Sequence, residues 1–195
     1  MEKKLYPLYH GTKEINGLSI LDNFKNRDQE PFIVDDVVKH SQWLGNGVYF
    51  WEDSLEKAKW WSCAVKKEST PFVLTAEVAV DMDSFLNLDL SESQREFEQF
   101  VDGVDKLLAE NSIDIVDKSR NLDEYNESFS EVVQLYAKFN DKKVIKKTFE
   151  NKNIHNSSKG KTKVSFPEIS AYYTDTQVCV YDQSTIVSLK HVVSI

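Results

Sequence analysis

Apolar residues recur along the chain with two different periods, and the points where the period changes mark the elements. Lys4 to His10 is aromatic-rich and reads as a strand, with Pro7 requiring an edge position or a bulge because it has no N–H to donate. Residues 13 to 42 keep no sustained period, so a short helix around Ile15 to Leu21 and then an exposed loop are expected. Gly45-Asn46-Gly47 leads into a second strand, Gly47 to Trp51, through glycines suited to positive φ or close backbone approach. Asp53 or Ser54 can then cap a helix whose apolar face is Leu55, Ala58, Trp61 and Val65. Thr70-Pro71 ends it. The run from Pro71 to Val80 is a strand whose imperfect alternation suggests burial on both faces.

The period lengthens again in the middle of the chain. Phe97, Phe100, Val101, Val104, Leu107 and Leu108 define one amphipathic helix, with Ser91 and Gln94 at capping-box spacing, and Tyr125, Phe129, Val132, Val133 and Tyr136 define another. Both are expected to cover core surface. Strands follow at Lys143 to Phe149, Ala171 to Tyr181 and Ile186 to Ile195, with a polar loop over residues 150 to 163. Strands at both ends and helices between them predict an α+β fold in one domain, residues 1 to 195, carrying a helical insertion over about residues 91 to 140.

Composition narrows the function. With 24 Lys+Arg against 32 Asp+Glu the net charge is −8, which argues against a broad phosphate-tracking surface, although eight lysines lie between Lys142 and Lys163. Cys63 and Cys179 are the two cysteines, and neither a disulfide framework nor a zinc spacing is present. No run approaches a membrane span, and the N-terminus has no apolar leader core, so a soluble, cytoplasmic protein is expected. No Gly-x-Gly-x-x-Gly follows a strand, which speaks against a Rossmann hydride-transfer enzyme.

Three short motifs carry chemistry together: Tyr9-His10-Gly11-Thr12, Gly45 to Phe50, and Gln177 to Asp182. Singly, each has a plainer reading as a structural histidine, a turn before a core tyrosine, and a solvent-facing glutamine. As an ordered set they resemble the ADP-ribosyltransferase superfamily in its diphtheria-toxin-like and poly(ADP-ribose)-polymerase-like branch. The resemblance is spread over the whole chain but absent from about residues 81 to 165. It implies a split antiparallel sheet with flanking helices, NAD+ as substrate and no metal.

Residue by residue, the resemblance implies that Gly11, with Thr12 beside it, offers backbone contacts to the nicotinamide carboxamide. It further implies that His10 bonds a ribose hydroxyl and that Tyr49 stacks on the nicotinamide ring. In the following helix, Ala58 and Trp60 fall where the family has a small residue and a second stacking aromatic, while Lys57 replaces the usual serine. Gln177 stands where better-known relatives carry glutamate: it keeps a hydrogen bond and loses the charge. Glu52 could supply a carboxylate, although strand alternation sets it opposite Tyr49 and it reads equally well as a helix N-terminal acid. Asp175 and Asp182 are weaker candidates. The expected activity is transfer of one ADP-ribose to a protein or nucleic acid acceptor, in a module resembling bacterial toxins or phage-defence effectors that pair with an antitoxin. The alternatives are a domain that binds NAD or ADP-ribose without turnover, and an NAD glycohydrolase.

Overall fold

The computed structural model describes residues 1–26, 29–34, 42–110, 122–150 and 174–192. Its centre is a sheet of seven strands: β1 (Glu2–Thr12), β2 (Val48–Glu52), β3 (Phe72–Asp81), β4 (Phe85–Asn87), β5 (Val144–Glu150), β6 (Thr174–Val180) and β7 (Ile186–His191). Across the sheet they run in the order β4-β5-β6-β2-β1-β3-β7. Neighbours are antiparallel except β4 and β5, which pair in parallel from Phe85↔Val144 to Asn87↔Lys146. The expected all-antiparallel sheet is corrected at that edge, where the chain returns through helices before adding β5. Strands from both ends of the chain meet in the middle of one mixed α+β sheet.

Pro7 sits inside the sheet at a bulge, not at its edge. The β1–β3 register shifts between Leu5 and Leu8, so a residue without an N–H costs the ladder little there. Beyond the bulge, pairing with β3 continues unbroken from Leu8↔Ala76 to Thr12↔Phe72. The other edge of β1 behaves differently. It meets β2 at Leu8↔Glu52 and Tyr9↔Trp51, and the ladder stops there, while Val48 to Trp51 pair with β6. Past Tyr9, therefore, β1 and β2 part, and the sheet opens along this seam.

The two-residue alternation sorts side chains into two cores. Leu8, Val48, Phe50, Leu74, Val178 and Val180 belong to one, roofed by α1 (Glu14–Asn26) through Ile20, Leu21 and Phe24. Cys179, Ile145 and Leu86 face the other way, toward α3 (Ser91–Glu110) and α4 (Leu122–Phe139), which bring Phe97, Phe100, Val133 and Tyr136. Val144 and Ile145, like Val178, Cys179 and Val180, are fully buried, because these strands are covered on both faces. Toward its end β3 keeps only one buried face, with Ala76, Val78 and Val80 in and Thr75, Glu77 and Ala79 half-out.

Several boundaries differ from expectation for local reasons. Ser91 opens α3, but Gln94 does not close a capping box: its N–H bonds the Leu90 carbonyl at 2.9 Å and its Nε2 bonds the Leu88 carbonyl at 2.7 Å. The apolar stripe of α3 is not covered to its end, since Leu107 is largely exposed. Phe32, expected in an exposed loop, is buried against the α1 core with Pro31. Its N–H and C=O are both taken by the Gln183 amide, at 2.8 and 2.9 Å. The polar loop expected over residues 150 to 163 lies outside the described residues, apart from residue 150, which ends β5.

Candidate functional site

The seam leaves backbone groups of two strands facing each other without a ladder. The Pro7 carbonyl accepts from the Asp53 N–H at 3.1 Å across the closed end, so alternation turns the N–H and C=O of Tyr9 and of Gly11 toward β2 as well. The Val73 carbonyl, opposite Gly11, is taken by Val192 N–H on the far side, as this alternation requires. Gly11 therefore presents a donor and an acceptor to the open gap. Across it, Tyr49 C=O accepts a 2.8 Å hydrogen bond from His10 Nδ1.

That bond fixes the state of His10. A carbonyl only accepts, so Nδ1 carries the proton and Nε2 is left as the acceptor of a neutral ring. Burial lowers the His10 pKa from 6.5 to about 4, opposed by the Tyr49 carbonyl and assisted by the positive charge of Lys66. The rings of Phe32 and Phe50 meet it edge-on at 5.1 and 5.8 Å.

Tyr49 is held by its hydroxyl, which donates to Gly45 C=O at 2.7 Å and accepts from Leu44 N–H at 2.8 Å. Gly45 has φ +83°, a conformation open to glycine at little cost. The turn is clamped from α4: Ser130 Oγ accepts from Gly45 N–H and donates to Gln42 C=O, while Gln134 accepts from Asn46 N–H. Helix α4 thus does more than cover the core, because it sets the turn that sets the tyrosine. Burial drives the Tyr49 hydroxyl pKa upward, so it stays protonated.

Opposite lies α2 (Leu55–Trp60), running directly into a π-helical turn, Trp61–Val65. Ser54 is its N-cap residue but makes no side-chain capping bond. Ala58 is fully buried against Gly11; a Cβ on Gly11 would come within 1.9 Å of the Ala58 carbonyl oxygen. Glycine here permits two backbones to touch. With Ala58 facing β1, a rotation of about 100° per residue turns Trp60 outward and brings Trp61 back toward the sheet. Accordingly Trp60 is 55% exposed and lies off the cavity described below, while Trp61 lines it. The tryptophan of this helix that lines the cavity is therefore Trp61, and the expected Trp60 is not among the lining residues.

The π turn also changes the expected apolar face. Lys66 N–H reaches back five residues to Trp61 C=O at 3.0 Å, Val65 is exposed, and Lys66 lines the cavity with its ammonium 5.9 Å from the Trp61 ring centre. Ser62 is buried between strands: its hydroxyl donates to Thr12 C=O at 2.7 Å and accepts from Phe72 N–H at 3.0 Å. Lys57 reaches over to β6 and pairs with Asp175 at 2.9 Å.

Gln177 lies two positions beyond Asp175 on the same face of β6, opposite Trp51. It is 7% exposed, lines the cavity, and its Oε1 is buried without a hydrogen-bond partner. An orphaned acceptor of this kind costs about 1–3 kcal/mol until something donates to it. The cavity encloses about 420 Å³ and collects His10, Gly11, Thr12, Tyr49, Trp61 and Gln177.

Besides Trp60 and Asp175, three further candidates stand apart from it. Ala58 acts beneath, through Gly11. Glu52 forms an ion pair with Lys146 of β5 and is not among the lining residues; being three positions from Tyr49 it faces the other side of the strand. Asp182 pairs with Lys143 at 3.1 Å and accepts from Ser184 N–H. The described lysines of the basic segment are engaged too, Lys142 with the Asp83 carbonyl and Lys147 over the Phe149 ring. Among the described residues no cluster of three or more His, Cys, Asp or Glu could hold a metal ion, and no helix is long and apolar enough to cross a membrane. Compared with known protein families, curated proteins and solved structures, the chain finds no match.

Proposed function

We propose that the chain is an ADP-ribosyltransferase that cleaves NAD+ and passes one ADP-ribose to a macromolecular acceptor. The observation that carries this reading is the orphaned Gln177 oxygen, buried in the same cavity as a neutral His10, the open Gly11 backbone and two aromatic walls. The parts fit the substrate. Tyr49 and Trp61 offer flat faces to a nicotinamide cation, each worth about 0.5–2 kcal/mol. Gly11 offers one donor and one acceptor, as a carboxamide requires. His10 Nε2 accepts from a ribose hydroxyl.

Gln177 Oε1 accepts a second ribose hydroxyl beside the carbon where positive charge grows as the glycosidic bond to nicotinamide breaks. The carbonyl dipole stabilises that charge without being an anion. Nicotinamide leaves neutral, the acceptor's nucleophile bonds the ribose carbon, and its proton passes to solvent. Such a small transferase fits the role of a bacterial toxin or defence effector held by an antitoxin, with protein or nucleic acid as acceptor.

The test is nicotinamide release from NAD+ by wild type, Gln177→Ala and Gln177→Glu, with labelled NAD+ followed onto lysate protein or nucleic acid. Gln177→Ala is expected to lose about 100-fold in rate. Gln177→Glu is expected to retain or gain activity by adding charge where the cation develops. Unchanged activity in Gln177→Ala removes this residue from the site. A second reading, binding of NAD or ADP-ribose without turnover, is favoured by one feature: among the described residues no carboxylate lines the cavity. It predicts saturable binding with no nicotinamide released by either wild type or Gln177→Glu.

A further inference from the structure

One wall of the cavity comes from outside the sheet. Pro31 to Val34 lie along it, and the Phe32 ring packs at 5.1 Å from His10 and 5.7 Å from Phe50, which are themselves 5.8 Å apart. All three pairs meet edge-on. Phe50 is fixed by the ladder between β2 and β6, opposite Val178. Phe32 belongs to no strand, and a side chain holds its backbone: Gln183 Oε1 accepts from its N–H at 2.8 Å, and Gln183 Nε2 donates to its C=O at 2.9 Å. A glutamine amide offers the donor and acceptor of a peptide group, and here it stands in for a neighbouring strand. Nε2 also donates to Glu30 Oε2 at 3.1 Å, so two acceptors surround the nitrogen and the amide has one orientation. Gln183 is 4% exposed, and the turn that carries it is stiff, because Asp182 accepts from Ser184 N–H and Thr185 Oγ1 donates to Asp182 C=O.

His10 needs this wall for a geometric reason. Its bond to Tyr49 C=O fixes Nδ1, yet an imidazole held at one atom can still swing about it and carry Nε2 along. Contacts from two further rings remove that freedom. Phe50 reaches His10 from within the sheet, whereas Phe32 reaches it only as firmly as Gln183 holds Phe32. We propose that Gln183 is a positioning residue of this site, acting through Phe32 to set the plane of the His10 ring and the direction of Nε2. Gln183 itself is not among the residues lining the cavity. Its effect on His10 stands on geometry alone, and its effect on turnover rests on the transferase reading. One stretch of chain then serves the cavity twice, with Gln177 on β6 entering it directly and Gln183 on the following turn acting from behind Phe32.

Histidine NMR of the full chain, with the His10 signal assigned by His10→Gln, reads the tautomer and the titration of the ring. The variants are Gln183→Met, which keeps the length and loses both bonds, Phe32→Leu, which keeps the bonds and loses the ring, the two together, and Val78→Ala as a control for lost stability. Wild type should show one tautomer, protonated on Nδ1, and titrate at about 4. Gln183→Met and Phe32→Leu should each mix the tautomers and move the titration toward 6.5, and the double variant should add nothing to Phe32→Leu. Lys66, the charged group that bears on His10, is untouched in all of them. In nicotinamide release, Gln183→Met should lose about tenfold or more in kcat/KM. A His10 signal unchanged in Gln183→Met, an equal shift in Val78→Ala, or additive shifts in the double variant overturn the proposal. Should Gln183→Met fail to fold, Gln183→Asn, whose amide stops one methylene short of Phe32, answers the same question. A shifted His10 in Gln183→Met, with no nicotinamide released by wild type, keeps the positioning role and removes the transferase. Release by wild type with His10 unmoved in Gln183→Met does the reverse.

Discussion

The two edges of β1 are made from the same eleven residues and do opposite things. Toward β3 the strand is paired from Glu2 to Thr12 around one bulge, and Leu74 and Val78 on that neighbour are fully buried. Toward β2 it is paired over two residues and then released, and His10 and Gly11 lie in the released part. A strand anchored firmly on one side can leave the other side's backbone unladdered. The contrast teaches where rigidity and reactivity come from: the closed edge supplies the fixed position, and the open edge supplies the unused hydrogen-bonding groups.

The contrast breaks most visibly on the closed edge. Val78→Ala, remote from the seam, is expected to cost about 2–3 kcal/mol of stability in denaturant unfolding while leaving NAD+ affinity of the folded protein unchanged. A loss of affinity there would mean that the two edges are not separable. Next in size is a pH effect at the open edge. His10 has a folded pKa near 4 against 6.5 unfolded, so between these values the unfolded chain takes a proton that the native protein refuses. Stability therefore falls as pH drops from 6.5 toward 4. Measured as the difference between wild type and His10→Gln over that window, the His10 share should be about 2 kcal/mol, reduced for the solvent that reaches the cavity. A flat difference would show that the ring is not held neutral by its surroundings. Smallest, and opposite in sign, is Gln177→Leu: removing a buried acceptor that has no partner should raise stability by about 1 kcal/mol while abolishing nicotinamide release. A destabilised Gln177→Leu would mean that the amide is held by the fold and is not reserved for a ligand.

Much of this architecture was legible in the sequence, because α3 and α4 carry clear helical periods and β1, β2, β3 and β5 are short aromatic or aliphatic runs bounded by turn residues. His10, Tyr49 and Gln177, read from three distant motifs, do line one cavity. What escaped was set by context that periodicity does not carry. Three-residue β4 is too short to show alternation. Phe32 is buried through its bonds to Gln183, 151 residues away. Trp60 was expected as the second aromatic from spacing alone, without asking which way a helix anchored at Ala58 must face, and it is Trp61 that lines the cavity. Lys66 was missed because the Leu55, Ala58, Trp61, Val65 pattern assumes an uninterrupted α-helix, and the turn after Trp60 is wider.

The π turn gives the cavity a separate route of variation. It follows α2 in the chain and ends before β3 begins, so its length is independent of the β1–β3 register. Removing one residue between Trp61 and Val65 would restore α-helical winding and rotate whatever occupies the place of Lys66 by roughly a quarter-turn. In descendants of this sequence, a single-codon insertion or deletion could exchange the charge on this wall without altering a core residue. Variation in the charge of this wall would then be recorded as length differences in one short segment, where a comparison of substitutions alone would overlook it.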